Sequence, residues 1–373
     1  MTSTELQAWL MLRSINGVGS VRLRQLVEAF GSPQAVLEAS LEQISRLPRM
    51  DRKTAQAIIA KHNPDSVKRQ IEQMAAQDIQ LITYRCDTYP KPLHKIYDPP
   101  ALLFVRGTLT AEDEVAIGVV GPRAASVYGK TVTQHLTTEL VQHGLTIISG
   151  MARGIDRVAH ESALNAGGRT LAILGCGVDV VYPPDNADLV PRIIENGALI
   201  SELPLGTQPT AMNFPMRNRI ISGMSLGVLV PEARIKSGAL ITADYAIEQG
   251  KDVFAVPGPI HSATSQGSNR LIKNGAKLVE TVQDILEGLN PYLLPSANAA
   301  TTSPPSATAS EKHLPPLTGS ELEVYQALSE TPLHIDRLAK TVAKPTHHVL
   351  GTLLALELKG VVKALPGKQF VRA

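Results

Sequence analysis

The pattern of apolar and polar positions divides the chain into four regions. Residues 1–76 show helical periodicity without a strand-like run, whereas residues 77–288 alternate short apolar runs with amphipathic segments. Proline, alanine, serine and threonine fill most of residues 289–316, and helical periodicity returns in residues 317–373. The pattern predicts a helical domain, an α/β domain, a disordered linker and a small C-terminal domain.

The α/β region predicts a doubly wound parallel sheet. Its short, continuous apolar runs are typical of strands that are covered on both faces. The core-strand candidates are Val115–Val120, Leu145–Ser149, Thr170–Leu174, Ala198–Ser201, Leu226–Val230 and Asp252–Val256. Two further runs, Ile79–Thr83 and Ala101–Val105, are predicted to extend the sheet. Helical segments ending at a glycine separate most of the core strands, an alternation that gives an α/β fold with right-handed crossovers.

Glycine-containing basic loops follow the first two core strands. The first is Gly121-Pro122-Arg123, and the second, Ser149–Asp156 (SGMARGID), opens a helix. A glycine turn between a strand and a helix directs backbone N–H groups and a positive helix end to one point, which suits a phosphate. Ligands of such sheets bind beyond the carboxyl ends of the strands. We therefore predict an anion-binding surface with Arg123 and Arg153 as its cations.

Two later segments are candidates to extend this surface. Met212–Ser222 predicts a turn and a short helix whose first turn carries Arg217, Asn218 and Arg219. Arginine is unfavourable near a helix N-terminus, so these residues form either a salt-bridged surface or an anion clamp. The arginines of the two loops on the same rim favour the clamp. Ser237-Gly238 opens another helix and is either an N–H cradle or an ordinary capping turn.

Several segments partly match catalytic or cofactor-binding motifs, but each lacks a required residue or has the wrong order of secondary-structure elements. Gly129-Lys130-Thr131 lacks the upstream glycine of a P-loop. Gly223–Gly227 matches G-x-S-x-G, but a helix precedes it and a strand follows, the reverse of a nucleophile elbow. The first core strand is not followed by G-x-G-x-x-G, and His160-Glu161 lacks the second histidine of a zinc motif. We therefore predict no catalytic residue, no cofactor and no metal.

Composition narrows the choice of partner and compartment. A net charge of +2 means that any nucleic-acid footprint is a local patch. One tryptophan, eight tyrosines and five phenylalanines leave little for base stacking, so backbone contacts should dominate. Two cysteines fit a reducing cytosol. No signal-peptide pattern and no apolar run near about 18 residues is present, so we predict a cytoplasmic protein without membrane association.

Blocks of sequence between residues 121 and 259 follow one another in the order known from one family. The blocks are Gly121–Arg123 with Tyr128-Gly129, Ser149–Asp156, Leu174–Pro184, Ile200–Pro204, Asn213–Ser222, Ser237–Ala246 and Val253–Pro259. They resemble the DNA-processing protein A (Smf) family of bacterial transformation factors. The resemblance implies an extended Rossmann-like domain that binds single-stranded DNA, dimerises and loads the RecA recombinase during natural transformation. Members of the family are not known as catalysts.

The resemblance also implies roles for individual residues. The implied DNA-binding residues are Gly121, Arg123, Ser149, Gly150, Arg153, Gly154, Arg217, Asn218, Arg219 and Gly238. The implied homodimer interface lies near Ser268–Gly275 and includes Leu271 and Ile272. The family usually has Gly-Ser-Arg where this chain has Gly121-Pro122-Arg123. Proline removes a hydroxyl and an N–H, so the cradle loses up to two donors and depends more on Arg123.

The flanking regions fit the same family. Ile15–Gly19 followed by Val21–Phe30 has the form of a helix-hairpin-helix (SAM-like) unit, and Leu47–Ile59 is a second copy without the turn glycines. Such turns bind a DNA phosphate or belong to a protein-interaction domain, and the degraded second copy favours the latter. Three helices and a hairpin near the C-terminus predict a winged helix. Its third helix, Thr346–Lys359, has one basic residue, Lys359, so DNA reading and protein docking both stay open.

Two other functions share the Rossmann-like core. A nucleotide phosphoribohydrolase would need a Pro-Gly-Gly-x-Gly-Thr loop, where this chain has Pro231-Glu232-Ala233-Arg234. The sequence therefore disfavours this enzyme. A sensor that binds a nucleotide without turning it over remains the other alternative.

Overall fold

A nine-stranded sheet organises the larger of the two compact units of the chain, Met1–Ala297 and Asn298–Ala373. The structure is a computed structural model that describes residues 1–60, 64–289, 319–329, 332–342, 344–359, 361–365 and 368–372. The linker predicted at residues 289–316 lies outside the described residues, except for Leu289.

The sheet is doubly wound, as its apolar runs predict. Its strands are β1 (Ile79–Thr83), β2 (Leu102–Gly107), β3 (Ala116–Val119), β4 (Thr146–Ser149), β5 (Thr170–Ile173), β6 (Gly197–Ser201), β7 (Gly227–Val230), β8 (Asp252–Ala255) and β9 (Lys277–Leu278). They lie in the order β1-β2-β6-β5-β4-β3-β7-β8-β9. The pairs β1–β2 and β2–β6 are antiparallel and the other pairs are parallel. The chain runs outward from β3 to β6 and returns beside β3 with β7, which makes β3 and β7 the topological switch point.

Thirteen helices accompany the strands in the described part of this unit. They are α1 (Ser3–Arg13), α2 (Ser20–Phe30), α3 (Pro33–Glu38), α4 (Leu41–Ser45), α5 (Arg52–Ile59), α6 (Pro64–Ala76), α7 (Val127–Gln142), α8 (Ile155–Asn165), α9 (Leu189–Glu195), α10 (Asn213–Met224), α11 (Gly238–Glu248), α12 (Gln266–Lys273) and α13 (Val282–Gly288). Short 3-10 segments lie at Lys91–Lys95, Ala111–Glu114 and Pro184–Asn186. No helix of the described residues is long and apolar enough to cross a membrane.

Helices cover both faces of the sheet, which explains why every residue of β3 to β7 is buried. On one face, Leu136 of α7 and Ala159 of α8 pack in a cluster with Ile117 of β3. On the other face, Ile220 of α10 and Ala243 of α11 pack in a second cluster. The apolar runs are thus continuous because each side chain of these strands meets a helix. Strand β9 was not predicted, because its two residues are exposed and form no apolar run.

The N-terminal helices share a hydrophobic core with the edge of the sheet. Trp9 of α1 and Leu23 of α2 are buried in the same cluster as Leu102 and Phe104 of β2. Trp9 also meets Tyr84 edge-on, with ring centroids 6.2 Å apart. The two hairpin turns predicted from the sequence connect α1 to α2 and α4 to α5. The helix-hairpin-helix region therefore packs directly on the sheet.

The second unit is a winged helix. Its elements are α14 (Gly319–Ala327), β10 (Leu333–His334), α15 (Ile335–Thr341), α16 (Thr346–Leu358), β11 (Val362–Leu365) and β12 (Gln369–Arg372). The strands form a small antiparallel sheet in the order β10-β12-β11. Val324, Leu338, Val349 and Leu353 form its core. The sequence predicted the three helices and the hairpin but not β10, which is only two residues long.

Candidate functional site

A groove of about 680 Å³ opens beyond the carboxyl ends of β3 and β7. One wall is the loop after β3, residues 120–124. The other walls are the first turns of α10 and the segment from Arg234 to the start of α11. We call it the switch-point groove, because it lies where the strand order of the sheet reverses. Ligands bind at this position in doubly wound sheets.

Three exposed cations line the switch-point groove: Arg123, Arg234 and Lys236. Within the described part of the chain, none of them forms an ion pair. Asp156 also lines the groove, but it is only 6% exposed. The accessible charge of the groove is therefore positive, and the groove attracts anions.

An aromatic pair lies beside these cations. The Arg123 guanidinium lies over the ring of Phe214, with Cζ 5.1 Å from the ring centroid. The rings of Phe214 and Tyr182 are 5.7 Å apart and inclined by 34°. Both aromatic residues line the groove. The groove thus combines positive charge with a flat apolar surface, which suits a ligand that has phosphates and planar rings.

The Ser149–Gly154 loop is organised by hydrogen bonds within the protein. The carboxylate of Asp156 accepts hydrogen bonds from the N–H groups of Gly150 (3.2 Å) and Ala152 (3.3 Å). Ser149 is fully buried and its hydroxyl donates to the Val119 carbonyl (2.6 Å). Two of the N–H groups that the sequence assigned to a phosphate therefore serve the chain's own carboxylate, and Ser149 joins β4 to β3.

Arg217 forms part of the floor of the groove. Its Nη1 donates to the carbonyl of Gly150 (2.7 Å) and to that of Ile173, and its side chain is buried. Gly150 has no room for a side chain, because a Cβ would lie 2.5 Å from Nη2 of Arg217. Arg217 therefore holds the ends of β4 and β5 together, and this role differs from the anion clamp predicted for it.

At the floor of the groove, the charges of Arg217 and Asp156 shift each other's pKa. Burial lowers the pKa of Arg217 to about 10, whereas the charge of Asp156 acts to raise it. The guanidinium accordingly keeps its charge at neutral pH. Burial raises the pKa of Asp156, and the charge of Arg217 and the two N–H donors act in the opposite direction. The buried carboxylate balances the buried guanidinium, so the exposed cations above them remain available.

Arg219 lies outside the groove, which corrects its predicted position. Its Nη2 donates to Glu202 (2.7 Å), and its Nε lies 3.5 Å from a carboxylate oxygen of Asp98. The hydroxyl of Ser20, the first residue of α2, donates to the same Glu202 carboxylate. The Arg219 side chain is only 8% exposed. Arg219 and Glu202 therefore link the N-terminal helices to the sheet.

Helix α10, which carries both arginines, is also held at its C-terminal end. The ammonium of Lys251 donates to the carbonyls of Ser222 (2.7 Å) and Gly223 (2.6 Å). A cation at this end of a helix satisfies free carbonyls and complements the helix dipole. Burial lowers the pKa of Lys251 to about 8. Lys251 thus fixes the C-terminal end of α10, and Arg217 fixes its middle. Together these contacts determine where Phe214 and Asn218 lie.

Arg153 lies at the border of the groove and not in its centre. Its side chain is 58% exposed and forms an ion pair with Asp185, with 2.5 Å between Nε and Oδ2. It lines a small recess next to the groove together with Arg123, Tyr182 and Phe214. Exposed ion pairs contribute little free energy. Arg153 is therefore able to exchange Asp185 for an external anion.

Gly121 and Gly154 bring the two predicted loops into contact. A Cβ on Gly121 would lie 2.4 Å from Ile155, and one on Gly154 would lie 2.2 Å from the Pro122 carbonyl. Gly154 also has a φ of +77°, a conformation that favours glycine. The two glycines therefore position the loop that presents Arg123.

Buried carboxylates lie at the N-termini of two helices around the groove, and a serine caps a third. Glu232 accepts a hydrogen bond from the Ser126 N–H (2.9 Å) at the start of α7. Asp156 lies in the first turn of α8 and accepts an N–H group of the preceding loop. At α11, Gly238 is exposed and has no heavy atom within 4 Å of its missing Cβ. Asn218 contacts the Gly238 carbonyl at 3.5 Å. Ser237 caps α11, because its hydroxyl accepts a hydrogen bond from the Ala239 N–H (3.3 Å), so Ser237-Gly238 forms a capping turn. The positive end of the α11 dipole still faces the groove.

The two cations Arg234 and Lys236 and the two aromatic residues Phe214 and Tyr182 line the groove but were not among the predicted site residues. The signal that could have identified the two cations is the one that identified Arg123, a basic residue in the loop beyond a core strand. The aromatic pair carries no such signal, because Tyr182 lies in a loop and Phe214 lies in the first turn of α10, far apart in sequence. Among the described residues, no group of three or more His, Cys, Asp or Glu is arranged to hold a metal ion.

The two predicted dimer residues lie against the protein's own core. Leu271 is 8% exposed and belongs to the cluster of α10 and α11, and Ile272 packs against that cluster. A charged residue at 271 would therefore disturb the fold. The prediction had instead placed Leu271 on an exposed dimer surface. Ile235 (48% exposed) and Ile241 (38% exposed) line a second cavity of about 400 Å³ beside α12.

Three family models match the chain. The model of DNA recombination-mediator protein A matches residues 80–290. The DprA winged helix domain matches residues 304–368, and the SAM-like helix-hairpin-helix tandem matches residues 10–61. The matched ranges include the sheet with its groove, the winged helix and the two N-terminal hairpins.

Similar proteins and solved structures agree with these models. The chain is 38% identical to Protein Smf of Escherichia coli, over 98% of this chain and 95% of that protein. It is 47% identical to DNA processing protein DprA of Streptococcus pneumoniae, over 54% of this chain and 71% of that protein. The X-ray structure of the S. pneumoniae protein gives a TM-score of 0.68 at 34% identity, covering 78% of this chain and 99% of that one. A structure of DNA processing protein A from Helicobacter pylori, described for its unique single-stranded DNA binding mode, gives 0.51 at 30% identity, covering 56% and 94%.

The different surroundings of the arginines predict different effects on stability. We expect Arg219→Ala to lower the Tm of the first unit, because it leaves Glu202, whose side chain is 13% exposed, without its ion pair, a loss of up to about 3–5 kcal/mol. Arg123→Ala is the matched control and should leave the Tm unchanged, since Arg123 is exposed and unpaired. Thermal unfolding is followed by the fluorescence of Trp9, the single tryptophan of the chain. Equal Tm values for the two variants would contradict the buried link.

Proposed function

The chain belongs to the family of DNA recombination-mediator protein A, and from this premise we propose that its switch-point groove binds single-stranded DNA. We further propose that the protein protects this DNA and loads the RecA recombinase onto it. The setting we propose is the cytoplasm, on DNA taken up in natural transformation. DNA processing is the general role shared with its relatives.

The observation that carries the proposal is the set of unpaired cations beside an aromatic pair. Arg123, Arg234 and Lys236 are exposed and unpaired in one groove, next to the N-terminus of α11. Phosphates of a DNA strand bind such cations without regard to sequence. The ring of Tyr182, which is 36% exposed, offers a stacking surface for a base. The binding mode named for the H. pylori protein supports the same ligand.

The aromatic pair favours a single strand over a duplex. Stacking on a side chain requires a base whose face is free, which the interior of a duplex does not provide. The lining of the groove contains one carboxylate, Asp156, which is engaged by backbone N–H groups. Affinity should therefore depend on salt and little on base sequence.

The buried carboxylates argue against a nucleotide enzyme. A Rossmann-like enzyme places the phosphate of its ligand at a helix N-terminus next to the sheet. Here Glu232 lies at the start of α7 and Asp156 at the start of α8. These two helix starts are therefore occupied by the chain's own carboxylates and not by the phosphate of a nucleotide. We propose that the protein acts without catalysis. A nucleotide sensor would have to bind the phosphate of its ligand at the start of α11. Competition between nucleoside monophosphates and an oligonucleotide tests this alternative.

We also propose a homodimer through the surface around Ile235 and Ile241. These side chains are partly exposed and line the cavity beside α12. The surface is close to the predicted Ser268–Gly275 region but uses exposed residues in place of Leu271. Two grooves in one dimer would hold a long strand more tightly than one groove, because the second contact is intramolecular.

Substitution of the groove cations should weaken binding of oligo-dT. We expect Arg123→Ala, Arg234→Ala and Lys236→Ala each to lower affinity about 10- to 100-fold, as for a lost charge-assisted hydrogen bond of about 1.5–3 kcal/mol. Lys130→Ala, on α7 and exposed, is the control and should have no effect. Fluorescence anisotropy over a range of salt should give a log–log slope of about −2, at roughly −0.7 for each of three phosphates.

Three results of that experiment would contradict the proposal. They are a larger loss for Lys130→Ala than for Arg123→Ala, equal affinity for duplex DNA, and a slope near zero. Nucleoside monophosphates are added as competitors, and free base is assayed in parallel. Competition by monophosphates at concentrations that match the oligonucleotide would favour the sensor, and release of base would favour the enzyme.

The dimer surface predicts a monomeric variant with an intact fold. We expect Ile235→Asp to give a monomer of unchanged Tm, because it places a charge in the apolar interface and not in the core. Val21→Asp on α2 is the control, since Val21 is 47% exposed and Ile235 is 48% exposed. Light scattering at micromolar concentration measures the mass. A monomeric unmutated protein, or a dimeric Ile235→Asp variant, would rule out this surface.

A further inference from the structure

Helix α16 of the winged helix is apolar on two sides. Val349, Leu353 and Leu356 are fully buried in the core of the unit. On an adjacent side of the helix, about 100° away, Leu350 is 52% exposed and Leu354 is 59% exposed. A surface helix usually has a polar outer face, so an apolar outer stripe indicates that the helix has a second partner.

The chemistry of this stripe does not suit DNA. The sequence of α16 contains no lysine and no arginine. Contacts of a recognition helix to phosphates and base edges rely mostly on basic and amide side chains. Exposed leucines without cations suit another apolar protein surface instead.

The exposed residues of α16 are arranged symmetrically about residue 352. His347, Leu350, Leu354 and Glu357 are separated by three, four and three positions, the spacing of one stripe along a helix. All four are exposed. In two antiparallel copies centred at 352, each Leu350 would face Leu354 of the other copy, and each His347 would face Glu357. The stripe is therefore complementary to itself, as a two-fold interface requires.

Two further features fit such a pairing. Gly351 flanks the stripe and has no heavy atom within 4 Å of its missing Cβ, so this flank leaves room for a second helix. Glu357 accepts a hydrogen bond from the Ala364 N–H (3.3 Å), which limits the positions of its carboxylate. The imidazole of His347 can donate a hydrogen bond to a carboxylate of the second copy.

We propose that the winged helices of two copies of this chain associate through an antiparallel pair of α16 helices. The occupant of the apolar stripe is the same stripe of the second copy. The interface is small and therefore weak between separate chains. It becomes effective when two copies are already held at millimolar effective concentration, as by a dimer of the larger unit.

Cysteine cross-linking of the full chain tests the proposal and its register. In the variant His347→Cys/Glu357→Cys, each cysteine meets its counterpart in the second copy, and mild oxidation should give a covalent dimer. Each single variant places its two cysteines about 15 Å apart, at 1.5 Å per residue, which is too far for a disulfide. We expect the single variants to give about ten-fold less dimer than the double variant.

A leucine substitution in the double-cysteine background separates association from chance collision. Leu350→Asp should lower the yield of covalent dimer about ten-fold, because it buries a charge in the interface. Leu322→Asp on α14, where the leucine is 43% exposed, is the matched control and should leave the yield unchanged. Circular dichroism confirms that each variant is folded.

Three outcomes would overturn the proposal. The first is equal cross-linking of the single and double variants, and the second is cross-linking that Leu350→Asp does not affect. The third is a Leu350→Asp variant that loses affinity for a short duplex while its cross-linking is unchanged. That result would assign the stripe to DNA.

Discussion

The candidate site depends on the hydrogen bonds that the buried guanidinium of Arg217 donates to two backbone carbonyls. The guanidinium joins the carbonyl of Gly150 after β4 to that of Ile173 in β5, and a buried charge is tolerated only with such partners. Asp156 balances the charge and fixes the loop of Gly150 through two N–H groups. Because this layer is satisfied internally, Arg123 above it stays unpaired and remains available to a ligand.

Internal carboxylates distinguish this sheet from a nucleotide-binding one. Glu232 lies at the start of α7 and Asp156 at the start of α8, where a Rossmann-like protein commonly binds a phosphate. The start of α11, beside Arg234 and Lys236, carries no carboxylate and is capped by the neutral Ser237. The positive surface therefore lies further out and forms an open groove, whose shape suits a chain of phosphates better than a single enclosed nucleotide.

The sequence predicted the sheet well, because continuous apolar runs reflect strands that helices cover on both faces. It also identified the strand ends and the loop of Arg123. It could not separate Arg217 from Arg219, which lie two positions apart and hence on nearly opposite sides of α10 at about 100° per residue. Only packing shows that one forms the groove floor and the other joins Glu202. For the same reason, the sequence did not show that Leu271 faces the core.

The central claim, that a DNA strand lies in the switch-point groove, is tested most directly by photo-cross-linking. Oligo-dT that contains iododeoxyuridine is irradiated with the full chain, and the linked peptides are identified by mass spectrometry. We expect the cross-links to concentrate on Tyr182 and Phe214, the aromatic pair beside Arg123. Cross-links confined to the hairpin turns of the N-terminal helices or to α16, with none on these two residues, would contradict it.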